Sequence, residues 1–276
     1  MEAVLKVRNL TVEHCRKKQV HRIINGVDFE VFPGQCLGIL GESGSGKSMS
    51  LKAVMGLLGT DFVVKGEAVY QGENLIGKSR EQLRKIRGKK INMILQNPMT
   101  CFDPLYRINE QLAETYREHT GLNKIQIRDK SMEVLKAMQI QNPSEVMKKY
   151  PHQLSGGMLQ RIMIGLAMSM EPDLLIADEP TTAIDAITQY EIMKEFMRIK
   201  KESGTAMIFI SHDLGVISAI ADQVLVMNQG NAADTGTFRQ IYEQPKDPYT
   251  RLLVEKKKAV MEQYHRAIGK KGMINV

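Results

Sequence analysis

The chain has no tryptophan and three cysteines among its 276 residues. Cys15, Cys36 and Cys101 are odd in number and widely spaced, with no Cys-x-x-Cys pattern. That argues against a disulfide framework and against a zinc or iron–sulfur site. The six histidines form no obvious ligand pair, so tight binding of a transition metal by this chain is not expected. Aromatic residues make up 5% of the sequence and are not interleaved with a basic stripe, so nucleic acid is not an expected partner. Long apolar runs are missing as well. The longest near-candidate, IMIGLAMSM at 162–170, falls short of the roughly 18 residues of a membrane span. The N-terminal MEAVLKVRNL has no basic region followed by an apolar stretch. No signal peptide is read there, and a cytoplasmic location is the expectation.

What is present is the composition of a soluble globular protein, 43% apolar and 25% charged, long enough for one large domain or two smaller ones. Net charge is +7, with basic clusters at Arg84–Lys90 and Lys256–Lys258. Solvated surface is one reading of those clusters; contact with an anionic membrane or an acidic partner is the other. The 18 methionines suit adaptable core filling.

The chain is organised around LGILGESGSGKS at 37–48. An apolar run, Leu37 to Leu40, stops at Gly41. Glu42, Ser43, Gly44, Ser45 and Gly46 follow, then Lys47, Ser48 and Met49. MSLKAVMGLLG then reads as a helix. Strand, glycine-rich loop and helix form the context of a phosphate-binding P-loop. Glycines let backbone N–H groups converge on phosphate oxygens, and the helix N-terminus adds partial positive charge. Lys47 can reach the β- and γ-phosphates, and the Ser48 hydroxyl can ligate Mg²⁺.

Strands are expected within 3–13, 27–32 and 62–70, as an antiparallel layer beside the P-loop core. INMIL at 91–95 reads as a buried strand that Pro98 ends. From about 105 to 150 the pattern is helical, with Val134, Leu135 and Met138 at helical spacing. Ser155 is an N-cap for a helix running to about Met170. DLLIADE at 173–179 is a short strand ending in two carboxylates. A helix follows, with Tyr190, Met193, Phe196 and Met197 on one side. AMIFIS at 206–211 and QVLVM at 223–227 are strands, with LGVISAIA as a helix between them. The alternation predicts a mostly parallel sheet. A last amphipathic helix is expected from 248, through Tyr249, Leu252, Leu253, Val260 and Tyr264.

Hydrolysis of ATP needs charge neutralisation, a positioned water and exclusion of solvent. Asp178 ends an apolar strand, where it can hold Mg²⁺. Glu179 can orient or deprotonate the attacking water. Gln96 can touch the metal shell and a moving element, and His212 can contact the γ-phosphate. Ser155-Gly156-Gly157, at a helix N-terminus, makes a second anion site. One chain does not need two such cradles. Two chains facing head to tail do, each nucleotide held by one P-loop and the other chain's Ser155 segment.

The P-loop, Gln96, LSGGM, LLIADE, Asp185 and His212, in this order, resemble the ATP-binding subunit of an ABC transporter. QNPMTCFDPL, YPHQLSGGMLQR, ADEPTTAID, FISHDLGVI and PKDPYTRLL are similar to the peptide/nickel importer family, and closest to subunits for nickel or opine-type metal chelates. The resemblance implies an α/β fold: a P-loop NTPase core with an antiparallel β subdomain and a helical subdomain inserted at about 97–170. The ATPase domain would span 1–250 and a helical tail 251–276. ATP and Mg²⁺ would be the ligands, with Asp185 linking two sites and Met158 as the fifth signature residue. The position that usually stacks on adenine matches His14. Partners would be a second ATPase, two membrane-spanning permeases and, indirectly, an extracytoplasmic binding protein. The chain would sit at the cytoplasmic face of the membrane, with Gln96 to about Leu105 transmitting closure. Competing functions are import of di- or oligopeptides by the same machinery, a soluble ABC ATPase acting on DNA or the ribosome, and a non-catalytic nucleotide module. A long coiled-coil insertion or a second cassette would mark the soluble ATPase, and neither is visible.

Overall fold

The computed structural model describes residues 2–16, 19–182, 186–256 and 258. The chain opens with β1 (Leu5–Arg16) and β2 (Gln19–Val31), which pair antiparallel. The P-loop strand β3 (Cys36–Leu40) and helix α1 (Lys47–Val54) follow. β4 (Phe62–Tyr70) returns to pair with β1, and β5 (Glu73–Asn74) pairs with β4. This gives a four-stranded antiparallel sheet in the order β2-β1-β4-β5. Helix α2 (Arg80–Arg84), closed by a Ser79/Gln82 capping box, occupies a stretch that reads in sequence only as polar.

β6 (Ile91–Ile94) leads into a helical region. It contains α3 (Ile108–His119), α4 (Lys124–Ala137), α5 (Pro143–Val146) and α6 (Gly156–Met168). Val134, Leu135 and Met138 are buried, so the helical spacing found their inward face. The chain then alternates β7 (Leu174–Asp178), α7 (Ala186–Ser203), β8 (Ala206–Ser211), α8 (Leu214–Ile220) and β9 (Gln223–Asn228). β10 (Asn231–Gly236) pairs antiparallel with β9, and α9 (Phe238–Glu243) follows. A closing helix runs over 248–256. Val260 and Tyr264 lie outside the described residues.

The larger sheet has the order β10-β9-β3-β8-β7-β6 and is parallel from β9 to β6. β3, β7 and β8 are buried along their whole lengths, as strands covered on both faces must be. Their side chains alternate between two cores. Leu175, Ala177, Met207 and Phe209 face a core shared with α6, α7, α8 and the helical region. Leu174, Ile176, Ile208 and Ile210 face a core shared with α1 and the antiparallel sheet. The P-loop strand is therefore clamped in mid-sheet, and the C-terminal ends of β3, β6, β7 and β8 open on one edge. In α7 the buried stripe is Ile192, Met193, Phe196 and Ile199. Tyr190 and Met197 are exposed. The expected grouping of Tyr190 and Met197 with Met193 and Phe196 is corrected, because Ile192 and Ile199 sit closer to the centre of the inward face.

Candidate active site

The loop from Gly41 to Gly46 joins β3 to α1. Gly46 has φ +103°, and a Cβ there would lie 2.5 Å from Ile24 Cδ1, so both conformation and space demand glycine. The loop is braced from outside. The Gly230 N–H, in the β9–β10 turn, donates to Ser45 O at 3.0 Å, while Gly230 O accepts from Asn25 N–H at 2.9 Å. Lys47 is buried, and its ammonium donates to Gly41 O at 2.8 Å and Glu42 O at 2.9 Å. Ser48 Oγ donates to Asp178 Oδ1 at 2.6 Å. The topology explains that contact: β8 separates β3 from β7, yet their C-terminal ends share one edge.

Glu179, just past β7, is the meeting point. Its Oε2 accepts from Gln96 Nε2 at 3.1 Å and from Thr182 Oγ1 at 3.0 Å. His212 Nδ1 lies 3.4 Å away and Lys47 Nζ 3.8 Å away. Its φ is +47°, a left-handed conformation rarely adopted by a non-glycine residue. A cleft of about 740 Å³ opens here, lined by P-loop residues from Glu42 to Met49, by Gln96, Glu179, Thr182 and His212, and by Ile23, Leu253 and Lys256. Thr182 was not singled out in the sequence. Its signal was its position three residues after Glu179, in the turn closed by Thr182 N–H to Glu179 O at 3.2 Å. Gly230 was also missed, and its cue was the Gln-Gly pair between two strands.

A family model for ABC transporters matches residues 24–182, and that match spans the P-loop, Gln96, the Ser155 segment, Asp178 and Glu179. The chain belongs to the ABC transporter family. The metal-staphylopine import system ATP-binding protein CntD of Staphylococcus aureus (strain NCTC 8325) is 41% identical over 95% of this chain and 96% of that protein. The oligopeptide transport ATP-binding protein OppD of Haemophilus influenzae is 43% identical over 91% of this chain and 77% of that protein. Among solved structures, the dimeric post-hydrolysis ATP-binding cassette MJ0796 bound to ADP and Pi matches with TM-score 0.75 and 25% identity, covering 85% of this chain and 99% of that one. The cassette cbiO1 of Clostridium perfringens, part of the ABC transporter complex cbiONQ, matches with TM-score 0.74 and 25% identity over 95% of this chain and 100% of that one. This ABC subunit is an ATP hydrolase of the transport type, with the α/β cassette fold.

Electrostatics of the cassette follow from burial. Desolvation pushes the Asp178 carboxyl above its ordinary value, against the pull of the Ser48 hydrogen bond and the charges of Lys52 and Lys47. Desolvation lowers Lys47, while Glu179 and Asp178 hold it up. The buried ammonium, held by two carbonyls with the Glu179 carboxylate 3.8 Å away, can exchange that ion pair for phosphate oxygens. The Ser48 hydroxyl and the Asp178 carboxylate form a converging oxygen pair of the kind Mg²⁺ takes, and the partly desolvated Asp178 charge suits a cation.

His14 and the Ser155 segment are not among the residues lining this cleft. His14, on β1, stacks on Phe62 with centroids 4.7 Å apart and hydrogen-bonds Asp61 at 2.8 Å. Ile23, Met49 and Leu253 are apolar side chains of the cleft lining, and His14 is not part of it. The His14 ring is thus engaged by Phe62 and Asp61. Ser155 caps α6 through Met158 N–H to Ser155 Oγ at 3.3 Å. Ser155 and Gly156 are exposed, and Gly157 and Met158 partly so, outside the chain's own cleft. Asp185 lies outside the described residues. Among the described residues no helix is long and apolar enough to cross a membrane, and no cluster of His, Cys, Asp or Glu could hold a metal ion.

Proposed function

We propose that this chain is one of two ATPase subunits powering an importer for a metal chelate, of the nickel or opine-type class. The observation that carries this reading is the similarity to the metal-staphylopine ATPase along 95% of this chain and 96% of the relative. Di- or oligopeptide import by the same machinery is the second reading, favoured by 43% identity to the oligopeptide ATPase. Two permeases and an extracytoplasmic binding protein complete the assembly, and the chain works at the cytoplasmic face of the membrane. An exposed apolar group supports a permease contact: Met99, Leu105 and Tyr106 stand out in the segment after Gln96.

In the proposed cycle the P-loop N–H groups and Lys47 bind the β- and γ-phosphates. Ser48 and Asp178 hold Mg²⁺, which when bound neutralises charge on the phosphate oxygens. Glu179 accepts the proton of the attacking water. Gln96 and Thr182 fix the carboxylate that does so, and His212 faces the terminal phosphate. Ser155, Gly156, Gly157 and Met158 present the N-terminus of α6 to the nucleotide of the second ATPase. Their solvent-facing placement supports a role in trans, and Asp185 is proposed to link the two sites.

Uptake of radioactive nickel at trace concentration tests the substrate, in cells lacking the gene and in cells with it restored, with and without a chelator such as histidine. Uptake lost and regained with the gene is the expected result, and chelator dependence distinguishes the ion from its complex. Uptake indifferent to the gene moves the assignment to peptides or another chelate.

A further inference from the structure

The helix over 248–256 is built onto the ATP site. Its start is anchored by buried Asp234 of β10, whose Oδ2 accepts from Lys246 N–H at 2.8 Å and Asp247 N–H at 3.3 Å. Asp247 then caps the helix, accepting from Tyr249 N–H at 2.8 Å. Leu253 and Val254 are buried in the core shared by the parallel sheet and the helical region. So oriented, the helix turns two side chains onto one P-loop residue. The Glu42 N–H donates to Tyr249 Oη at 3.0 Å, and Lys256 Nζ lies 3.8 Å from Glu42 Oε1. Leu253 and Lys256 also line the nucleotide cleft.

Glu42 sits awkwardly for an anion site. Its carboxylate stands at the mouth of a loop that must receive phosphates, and like charges repel there. The Gly41–Glu42 peptide is shared between two holders: its C=O, on Gly41, accepts from Lys47 Nζ, and its N–H, on Glu42, donates to Tyr249. When phosphates take Lys47, the Tyr249 hydroxyl still grips the Gly41–Glu42 peptide, while the Ser45 N–H holds the next one through Glu42 O at 3.2 Å.

We propose that Tyr249 is a positioning residue of the ATP site. Its hydroxyl fixes the Glu42 peptide, and through it the arrangement of the P-loop N–H groups, while Lys256 offsets the Glu42 charge. The closing helix is thus a working part of nucleotide binding, and any partner that shifts the helix changes ATP affinity. The inference rests on the P-loop as the ATP site.

The test uses the full chain with a fluorescent ATP analogue, steady-state hydrolysis, thermal melting and amide hydrogen exchange. Tyr249→Phe keeps the ring and removes the hydroxyl. One net hydrogen bond corresponds to about two- to tenfold in affinity. The dissociation constant and KM for ATP should rise by that factor, with kcat within about twofold and faster exchange at the Glu42 amide. The melting temperature should stay close to wild type. Unchanged affinity and unchanged Glu42 exchange would overturn the role of Tyr249, as would an affinity loss matched by global destabilisation. A wild-type chain in which the Glu42 amide exchanges at the free-peptide rate overturns it without any variant. A wild-type chain that binds no nucleotide removes the premise instead, a distinguishable result.

Discussion

Glu179→Gln separates water activation from nucleotide binding, and the geometry says how cleanly. Gln96 Nε2 and Thr182 Oγ1 both donate to one carboxylate oxygen, at 3.1 and 3.0 Å. A glutamine carbonyl in that place keeps both bonds, so the side chain stays where it is. The other oxygen faces Lys47 Nζ at 3.8 Å. At an effective dielectric of about 20 that attraction is about 4 kcal/mol before desolvation is subtracted. It competes with phosphate for the ammonium. The amide removes it and leaves Lys47 held by the carbonyls of Gly41 and Glu42. ATP affinity is therefore expected to be equal to wild type or tighter. The amide cannot accept the proton from water, so turnover should fall about 10²- to 10⁴-fold. The assay pairs single-turnover hydrolysis with a binding titration on the same preparation. Turnover within tenfold of wild type would refute the role of Glu179 as proton acceptor. Weakened binding would refute the competition for Lys47.

Burial raises the Asp178 carboxyl from its ordinary 3.8, so the folded chain holds that proton more tightly than the unfolded one. The stability it contributes is complete below 3.8 and is lost as pH rises through the higher folded value. Without Mg²⁺, Asp178→Asn should melt at a higher temperature than wild type at neutral pH, with the gap closing in acid, and should lose hydrolysis; a pH series of melting curves checks this. Gly157→Ala places a Cβ 2.5 Å from Thr188 Cγ2. Overpacking of that kind costs about 1–3 kcal/mol, so melting should fall by several degrees while α6 shifts against α7. Ser155→Arg should block ATP-driven pairing yet leave nucleotide binding to the single chain, measured by gel filtration and titration. Burial pushes the Cys36 thiol up to about 12, whereas Cys15 and Cys101 are exposed. An alkylating reagent at neutral pH should label Cys15 first, Cys101 more slowly because desolvation raises its thiol, and Cys36 only after denaturation, as peptide mass spectrometry would show.

Local pattern alone determined the P-loop, the carboxylate pair Asp178–Glu179 and the alternation of strand and helix from 174 to 228. These signals are short in sequence: a loop chemistry at fixed spacing, apolar runs bounded by turns, an N-cap at Ser155. Weakly patterned elements escaped. β10 is mostly Asn, Ala, Asp and Gly, residues of little β propensity, and exists because it pairs with β9 behind the Gln229-Gly230 turn. α2 and α9 are short and depend on their capping boxes. Which face of α7 is inward was decided by packing, which took Ile192 and Ile199 and left Tyr190 and Met197 outside. The site itself divides the same way. The signals at Lys47, Ser48, Asp178 and Glu179 were legible residue by residue, and the structure brings these side chains together. That Thr182 grips Glu179, that Gly230 braces Ser45 and that Tyr249 holds Glu42 was not. The last two join positions far apart in the chain, and they meet only because the parallel sheet brings its strand ends to one edge and folds the closing helix back across it. Hydrogen bonds of that range leave no periodicity to read, so only the tertiary structure could decide them.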